Sequence, residues 1–132
     1  MKGFLDSLEA EVFVFQETKV GSALKSVEDG LLHVDGYESY WSICTKRPGY
    51  SGVVTYVKKG LTVDAKCTFG REEFDCEGRI MMTDHGSFLL FNVYFPNSGN
   101  GDRLEYKMDF YRWFEGLCDE YLAQGRKIVV AG

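Results

Sequence analysis

Four consecutive apolar residues, Val12-Phe13-Val14-Phe15, run without a break into Gln16-Glu17-Thr18-Lys19. An unbroken run of β-branched and aromatic residues predicts a strand, Glu11 to Gln16, buried on both faces. The polar cluster then falls at the carboxyl end of that strand, the end at which open α/β sheets bind ligands. Glu17 becomes a carboxylate at the mouth of a strand, with Lys19 two residues on. A hard cation such as Mg²⁺ takes oxygen ligands of this kind, one or two per site with waters and phosphate oxygens. The same glutamate also reads as a solvated turn residue, and this stretch alone leaves both readings open.

The remaining pattern supplies a sheet-rich partner for that strand. Tyr37 to Ile43, Gly52 to Lys58, Leu61 to Thr68, Glu77 to Thr83, Ser87 to Phe95 and Lys127 to Ala131 read as strands, the last of them buried. Lys59-Gly60 predicts a hairpin between the second and third of these, and Asp84-His85-Gly86 another between the fourth and fifth. Phe69 to Asp75 reads as loop. Apolar residues at Leu104, Met108, Tyr111, Phe114, Leu117, Cys118, Tyr121 and Leu122 make a helical stripe, which is core packing. Asp102 is placed to cap that helix, with Glu105 three residues on, and Gly125 to end it. Lys2 to Ala10 has helical spacing, Gly21 to Val27 reads as a short helix or turn, and Glu28 to Gly36 as loop.

At 132 residues, 45% hydrophobic and 15% aromatic, the chain can bury a real core in one domain. No stretch reads as a membrane span or a signal peptide, so an intracellular protein is expected. Cys44, Cys67, Cys76 and Cys118 are widely spaced, which indicates neither a zinc site nor a disulfide framework. A net charge of −5 argues against a polyanion binder held by bulk charge. It leaves room for local phosphate contacts by pairs such as Lys46-Arg47 and Lys58-Lys59, each of which also reads as ordinary surface.

Five stretches in order, Gln16-Glu17-Thr18-Lys19, Gly49-Tyr50-Ser51-Gly52-Val53, Glu77-Gly78-Arg79, Asn92-Val93-Tyr94-Phe95-Pro96-Asn97 and Arg103-Leu104-Glu105-Tyr106-Lys107, resemble the exonuclease III family of abasic-site (AP) endonucleases, within the endonuclease/exonuclease/phosphatase superfamily. The resemblance covers nearly the whole chain. It implies an α/β fold, a four-layer α/β sandwich (DNase I-like), incomplete in this chain. It also implies a Mg²⁺-dependent phosphodiesterase, with Mn²⁺ as the alternative ion. Such an enzyme incises double-stranded DNA on the 5′ side of abasic sites and often carries 3′→5′ exonuclease activity. No membrane and no obligate protein partner is implied; the compartment would be the cytoplasm of a prokaryote or the nucleus of a eukaryote.

By this resemblance Glu17 is the metal carboxylate and Tyr94 the active-site tyrosine whose hydroxyl faces the phosphate. Asn97 matches an asparagine close to that phosphate. Lys19 lies beside the metal site, and Gly49, Tyr50 and Ser51 match a loop touching the DNA backbone. The plain readings stand beside these: a satisfied core tyrosine, a turn asparagine, a surface lysine, a loop before a strand. Arg79 reads as structural, paired to Glu77 or a neighbour; Asp75 and Glu77 receive no metal role, and His85 reads as a solvated hairpin tip. Arg103 receives no DNA contact, because the family often places an arginine nearer the proline.

The chain departs from the family in lacking its Trp-Asn-x-Asn-Gly type motif and in stopping at Gly132, where the family continues Gly-Asp-x-Asn; the later Asp and the Asp-His pair are absent too. The expectation is a partial domain over 1–132, without the family's first strand and carboxyl-terminal half. The alternatives are then a catalytically incompetent fragment of such an enzyme, or another phosphodiesterase or phosphatase of the superfamily.

Overall fold

In the computed structural model, which describes all 132 residues, seven strands form two sheets packed face to face. β1 (Val12–Gln16) and β2 (Tyr37–Ser42) flank β3 (Val53–Lys58) in the first sheet, both antiparallel to it. The second sheet runs β4 (Asp64–Lys66), β5 (Ile80–Asp84), β6 (Leu89–Val93), β7 (Ile128–Ala131). Its first two pairings are antiparallel. β7 joins β6 in parallel, and the crossover between them is the 20-residue helix α4 (Leu104–Ala123). Short helices α1 (Lys2–Ser7), α2 (Asp29–Leu32) and α3 (Glu72–Asp75) and a 3₁₀ turn at Leu24–Ser26 complete the chain. No helix is long and apolar enough to cross a membrane.

Side-chain alternation sorts the strands into layers. Ile80, Met82, Leu89, Phe91 and Val93 face α4 and pack on Phe110, Phe114 and Leu117. Phe13, Tyr37, Trp41, Val54 and Tyr56 face the other way, with Leu5 of α1, Val27 and Val34 over them. The alternate residues, Val53, Thr55 and Val57 from β3 with Met81, Thr83, Leu90 and Asn92 from β5 and β6, are all buried between the sheets. The order of layers is helix and loop, sheet, sheet, helix. Each large side chain buried under α4 contributes about 1.5–3 kcal/mol.

One polar residue in the middle layer ties the sheets together. Asn92 is fully buried, and its Oδ1 accepts from Gln16 Nε2 at 2.7 Å. Its Nδ2 donates to the Val54 carbonyl at 2.9 Å and, at 3.3 Å, to the Phe15 carbonyl and Thr55 Oγ1. The carboxyl ends of β1 and β6 are thereby fixed side by side.

Several local expectations change. β1 is the edge of its sheet and only Phe13 in it is buried, so it is not covered on both faces. β7 is likewise a half-exposed edge, with Val129 and Val130 48% and 44% accessible. The Asp84-His85-Gly86 hairpin forms as expected. Lys59-Gly60 does not join a hairpin, since β3 and β4 belong to different sheets and the turn carries the chain across. Helix α4 begins at Leu104 with Arg103 in the cap position and no side-chain cap bond, so Asp102 does not cap it. Asp75 of α3 accepts from the Phe69 and Arg71 amides, ordering a segment that reads as loop. His85 is held at both ring nitrogens, by Thr83 Oγ1 and the Leu61 carbonyl, and stacks on Phe88, so it is not a merely solvated tip.

Replacing Asn92 by Leu should destabilise the fold by about 2–4 kcal/mol despite the gain in apolar surface, because buried backbone carbonyls and the Gln16 amide lose their partner. Urea denaturation of the two proteins measures this; an unchanged midpoint would mean that the bonds to Asn92 contribute little.

Candidate active site

Directly beyond β1 the backbone turns through two left-handed residues, Glu17 (φ 54°) and Lys19 (φ 49°). Such a conformation is uncommon for residues other than glycine and persists where its surroundings over-determine it. Here the surroundings are the segment before β3. The Thr18 amide donates to the Gly52 carbonyl at 3.1 Å and the Lys19 amide to Ser51 at 2.9 Å. The Gly49 amide donates back to Val20, also at 2.9 Å. These bonds prolong the β1–β3 ladder past the ends of both strands. Gly52 must be glycine: its φ is 92°, and a Cβ there would collide with Thr18 Oγ1.

The turn places the Glu17 carboxylate 3.0 Å from the Lys19 ammonium, both side chains about half exposed. The Lys19 hydrogen bond foremost, and the Tyr94 hydroxyl in addition, hold the Glu17 carboxyl below the usual carboxylate range. Burial, and then the Glu17 charge, push the Tyr94 hydroxyl up. Tyr94 follows the end of β6, two residues past Asn92. Glu17, Lys19 and Tyr94 are therefore brought together from the two sheets: an ionised carboxylate open to solvent, an ammonium and a protonated phenol. No group of three or more His, Cys, Asp or Glu side chains converges in the chain. One ionised, half-exposed carboxylate fits a Mg²⁺-type ion that keeps waters and borrows phosphate oxygens, and does not fit a closed multidentate cage.

Asn97 shares no hydrogen bond with these three. It is exposed, and its Oδ1 accepts the Gly99 amide at 3.0 Å in a tight turn. In the Gly49-Tyr50-Ser51 loop, Gly49 is exposed and left-handed at φ 70°. Ser51 is 1% exposed and left-handed, so its part is to shape the turn and its side chain faces no solvent. Tyr50 is half-buried and faces a second cluster.

That cluster contains side chains to which the sequence reading gave no site role. Arg79, 3% exposed, donates from Nε to Glu77 Oε2 at 2.8 Å and from Nη1 to the Tyr94 carbonyl at 3.1 Å. The pairing to Glu77 is as expected, but the guanidinium reaches further. It lies among the rings of Tyr50, Tyr94 and Tyr106. Arg103 donates to Glu77 Oε1 at 2.7 Å and covers the Tyr106 ring at 4.0 Å. Gly78, between the paired residues, presses on the backbone of Ile43 and Cys44, where any Cβ would clash. The signal in sequence was the spacing of Glu77 and Arg79, two residues apart around Gly78; nothing local pointed to Arg103.

The endonuclease/exonuclease/phosphatase family matches residues 1–132. The DNA-(apurinic or apyrimidinic site) endonuclease 2 of Mus musculus is 31% identical over 167 residues, spanning 100% of this chain and 32% of the relative. The Homo sapiens protein of the same name is 32% identical over 163 residues, spanning 97% and 31%. The catalytic domain of Xenopus laevis APE2 superposes with a TM-score of 0.79 at 29% identity, covering 98% of this chain and 51% of that one. The DNase I-like four-layer arrangement expected from sequence is thus the observed one. The chain spans about a third of the length of the curated relatives it matches.

Two pH dependences follow from these charges. Burial alone would raise the Glu77 carboxyl, but the hydrogen bonds from Arg103 and Arg79 outweigh it and hold the group below its ordinary range. A folded-state value below the unfolded one stabilises fully above the unfolded value, and the stabilisation is lost as pH falls through the folded value. Urea midpoints should therefore fall below about pH 4, and less steeply in Glu77→Gln, which starts from a lower stability. Replacing Lys19 by Met should move the Glu17 carboxyl up toward the ordinary range, as read by carboxyl ¹³C NMR titration.

Proposed function

The chain belongs to the endonuclease/exonuclease/phosphatase family, and from that membership we propose that it is part of the catalytic domain of a divalent-metal-dependent DNA phosphodiesterase of base-excision repair. The substrate is duplex DNA with an abasic site, incised on the 5′ side, with 3′→5′ exodeoxyribonuclease action as a companion activity. The observation that carries this reading is the convergence of an ionised, solvent-open Glu17 with Lys19 and a protonated Tyr94. The names of the relatives supply the substrate class. Work on genomic DNA sets the protein inside the cell.

Glu17 would hold Mg²⁺, with Mn²⁺ as a substitute, and the ion would supply charge neutralisation at the scissile phosphate. Lys19 bonds the carboxylate and holds its pKa down. Tyr94, kept protonated, donates its hydroxyl hydrogen to a phosphoryl oxygen as charge builds on it. The donor is useful because it is fixed in advance: its backbone is bonded to Arg79 in both directions, amide to carbonyl at 2.8 Å and guanidinium to carbonyl at 3.1 Å. Gly49 and Tyr50 receive the DNA backbone, the glycine allowing close approach. Asn97, whose Oδ1 accepts the Gly99 amide, keeps its Nδ2 donors for the phosphate.

A second reading has an observation in its favour. His85 is bonded to Thr83 and Leu61, His33 lies 3.6 Å from Asp29, and neither histidine bonds to Glu17, Lys19 or Tyr94. On that reading the chain binds metal and abasic duplex without completing hydrolysis.

The deciding assay is incision of a duplex carrying one tetrahydrofuran abasic analogue, in Mg²⁺ and in EDTA. Metal-dependent nicking 5′ to the analogue is expected, reduced about 10²–10³-fold in Tyr94→Phe and abolished in Glu17→Gln. Mg²⁺-dependent binding without nicking would favour the second reading. Neither binding nor nicking, with turnover of a phosphoinositide instead, would assign the chain to another branch of the family.

A further inference from the structure

Away from Glu17, the most heavily charged buried group is the one around Tyr50. Each Glu77 oxygen accepts one guanidinium, Oε2 from Arg79 Nε and Oε1 from Arg103 Nη2. Each arginine then has a further nitrogen on the same atom. Arg79 Nη2 lies 3.0 Å and Arg103 Nη1 3.1 Å from Tyr50 Oη. A guanidinium carries donors and no acceptor. The Tyr50 oxygen therefore accepts twice and can return its proton to neither arginine. No hydrogen bond joins that hydroxyl to Glu77, whose oxygens face the two guanidinium groups.

Among these partners the hydroxyl proton has no acceptor, and Tyr50 lines a pocket of about 320 Å³ with Cys44, Lys46, Arg47, Glu77 and Arg103. Glu77 is the one acid of that lining. The Arg47 guanidinium lies over the Tyr50 ring, 5.3 Å from its centre, and steadies the ring from the open side. A fixed hydroxyl donor between unpaired cations matches an anionic oxygen acceptor.

We propose that Arg103, together with Arg79, is a positioning residue that turns Tyr50 into an outward hydroxyl donor for a phosphodiester oxygen of the bound duplex, Lys46 and Arg47 supplying the surrounding charge. This deepens the reading of Tyr50 given above and rests on it. Arginine is required at 103 because its fork reaches Glu77 with one nitrogen and Tyr50 with another; a lysine satisfies one acceptor and leaves the other.

The test is a double-mutant cycle on binding of the tetrahydrofuran duplex in EDTA, followed by fluorescence anisotropy over a range of salt. Tyr50→Phe and Arg103→Lys should each weaken binding about tenfold, and the double variant no further than either single one. The slope of log Kd against log salt should be unchanged in Arg103→Gln, because the arginine acts through Tyr50 and touches no phosphate; a direct phosphate contact would lower it by about one. Urea midpoints establish that each variant is folded, and Arg103→Lys, which keeps a cation beside Glu77, carries the cycle should Arg103→Gln unfold. Additive losses of about a hundredfold in the double variant, full affinity in Arg103→Lys, or the reduced salt slope would each overturn the proposal alone. No binding by the unsubstituted chain at any salt would overturn the reading of the Tyr50 loop, and this inference with it.

Discussion

The two sheets meet through a layer that is apolar except for a few polar groups, and the bonds across it centre on the Asn92 side chain. Apolar contacts hold surfaces together without deciding where one sits on the other, whereas an amide with fixed partners admits one register. Everything at the candidate site is counted from that bond. Glu17 follows Gln16, which donates to Asn92, and Tyr94 lies two residues beyond Asn92. The meeting of the Glu17 carboxylate and the Tyr94 phenol is thus the outward extension of a bond made in the core. A buried asparagine without all its partners would cost more than it stabilises; here Gln16, Val54, Thr55 and Phe15 share the work.

What could be read from the sequence, and what could not, divides along the same line. Strand identity is local, and the β5–β6 hairpin and α4 are legible from alternation and the apolar stripe. Strand partnership is not: the Lys59-Gly60 turn has hairpin chemistry, yet β4 pairs across its sheet with β5 because the residues of β5 and β6 complete that sheet. β1 has the composition of a covered strand and lies at an edge, because coverage depends on neighbours far away in sequence. At the site, Glu17, Lys19 and Tyr94 stand in motifs and could be named in advance. Glu77 and Arg103 are 26 residues apart and Tyr50 and Arg103 are 53 apart, so their meeting is visible only in three dimensions. The misplaced cap has the same origin: Arg103 occupies the position before α4 while its side chain is committed to Glu77 and Tyr50.

The electrostatics show why a net charge of −5 says little about what a surface can hold. The positive groups near Tyr50 are few, but two of them are anchored on one buried carboxylate that neutralises one charge and leaves one in excess. Lys46 and Arg47 add to it from the open side. Local arrangement, and not the total, sets the field at a site of this size.

The ladder joining Thr18, Lys19 and Val20 to Gly49, Ser51 and Gly52 has one more meaning. Two loops that share backbone hydrogen bonds cannot be displaced one at a time. The separation between the Glu17 carboxylate and the Tyr50 loop is therefore set before any ligand arrives, like the gap of a caliper locked at one opening.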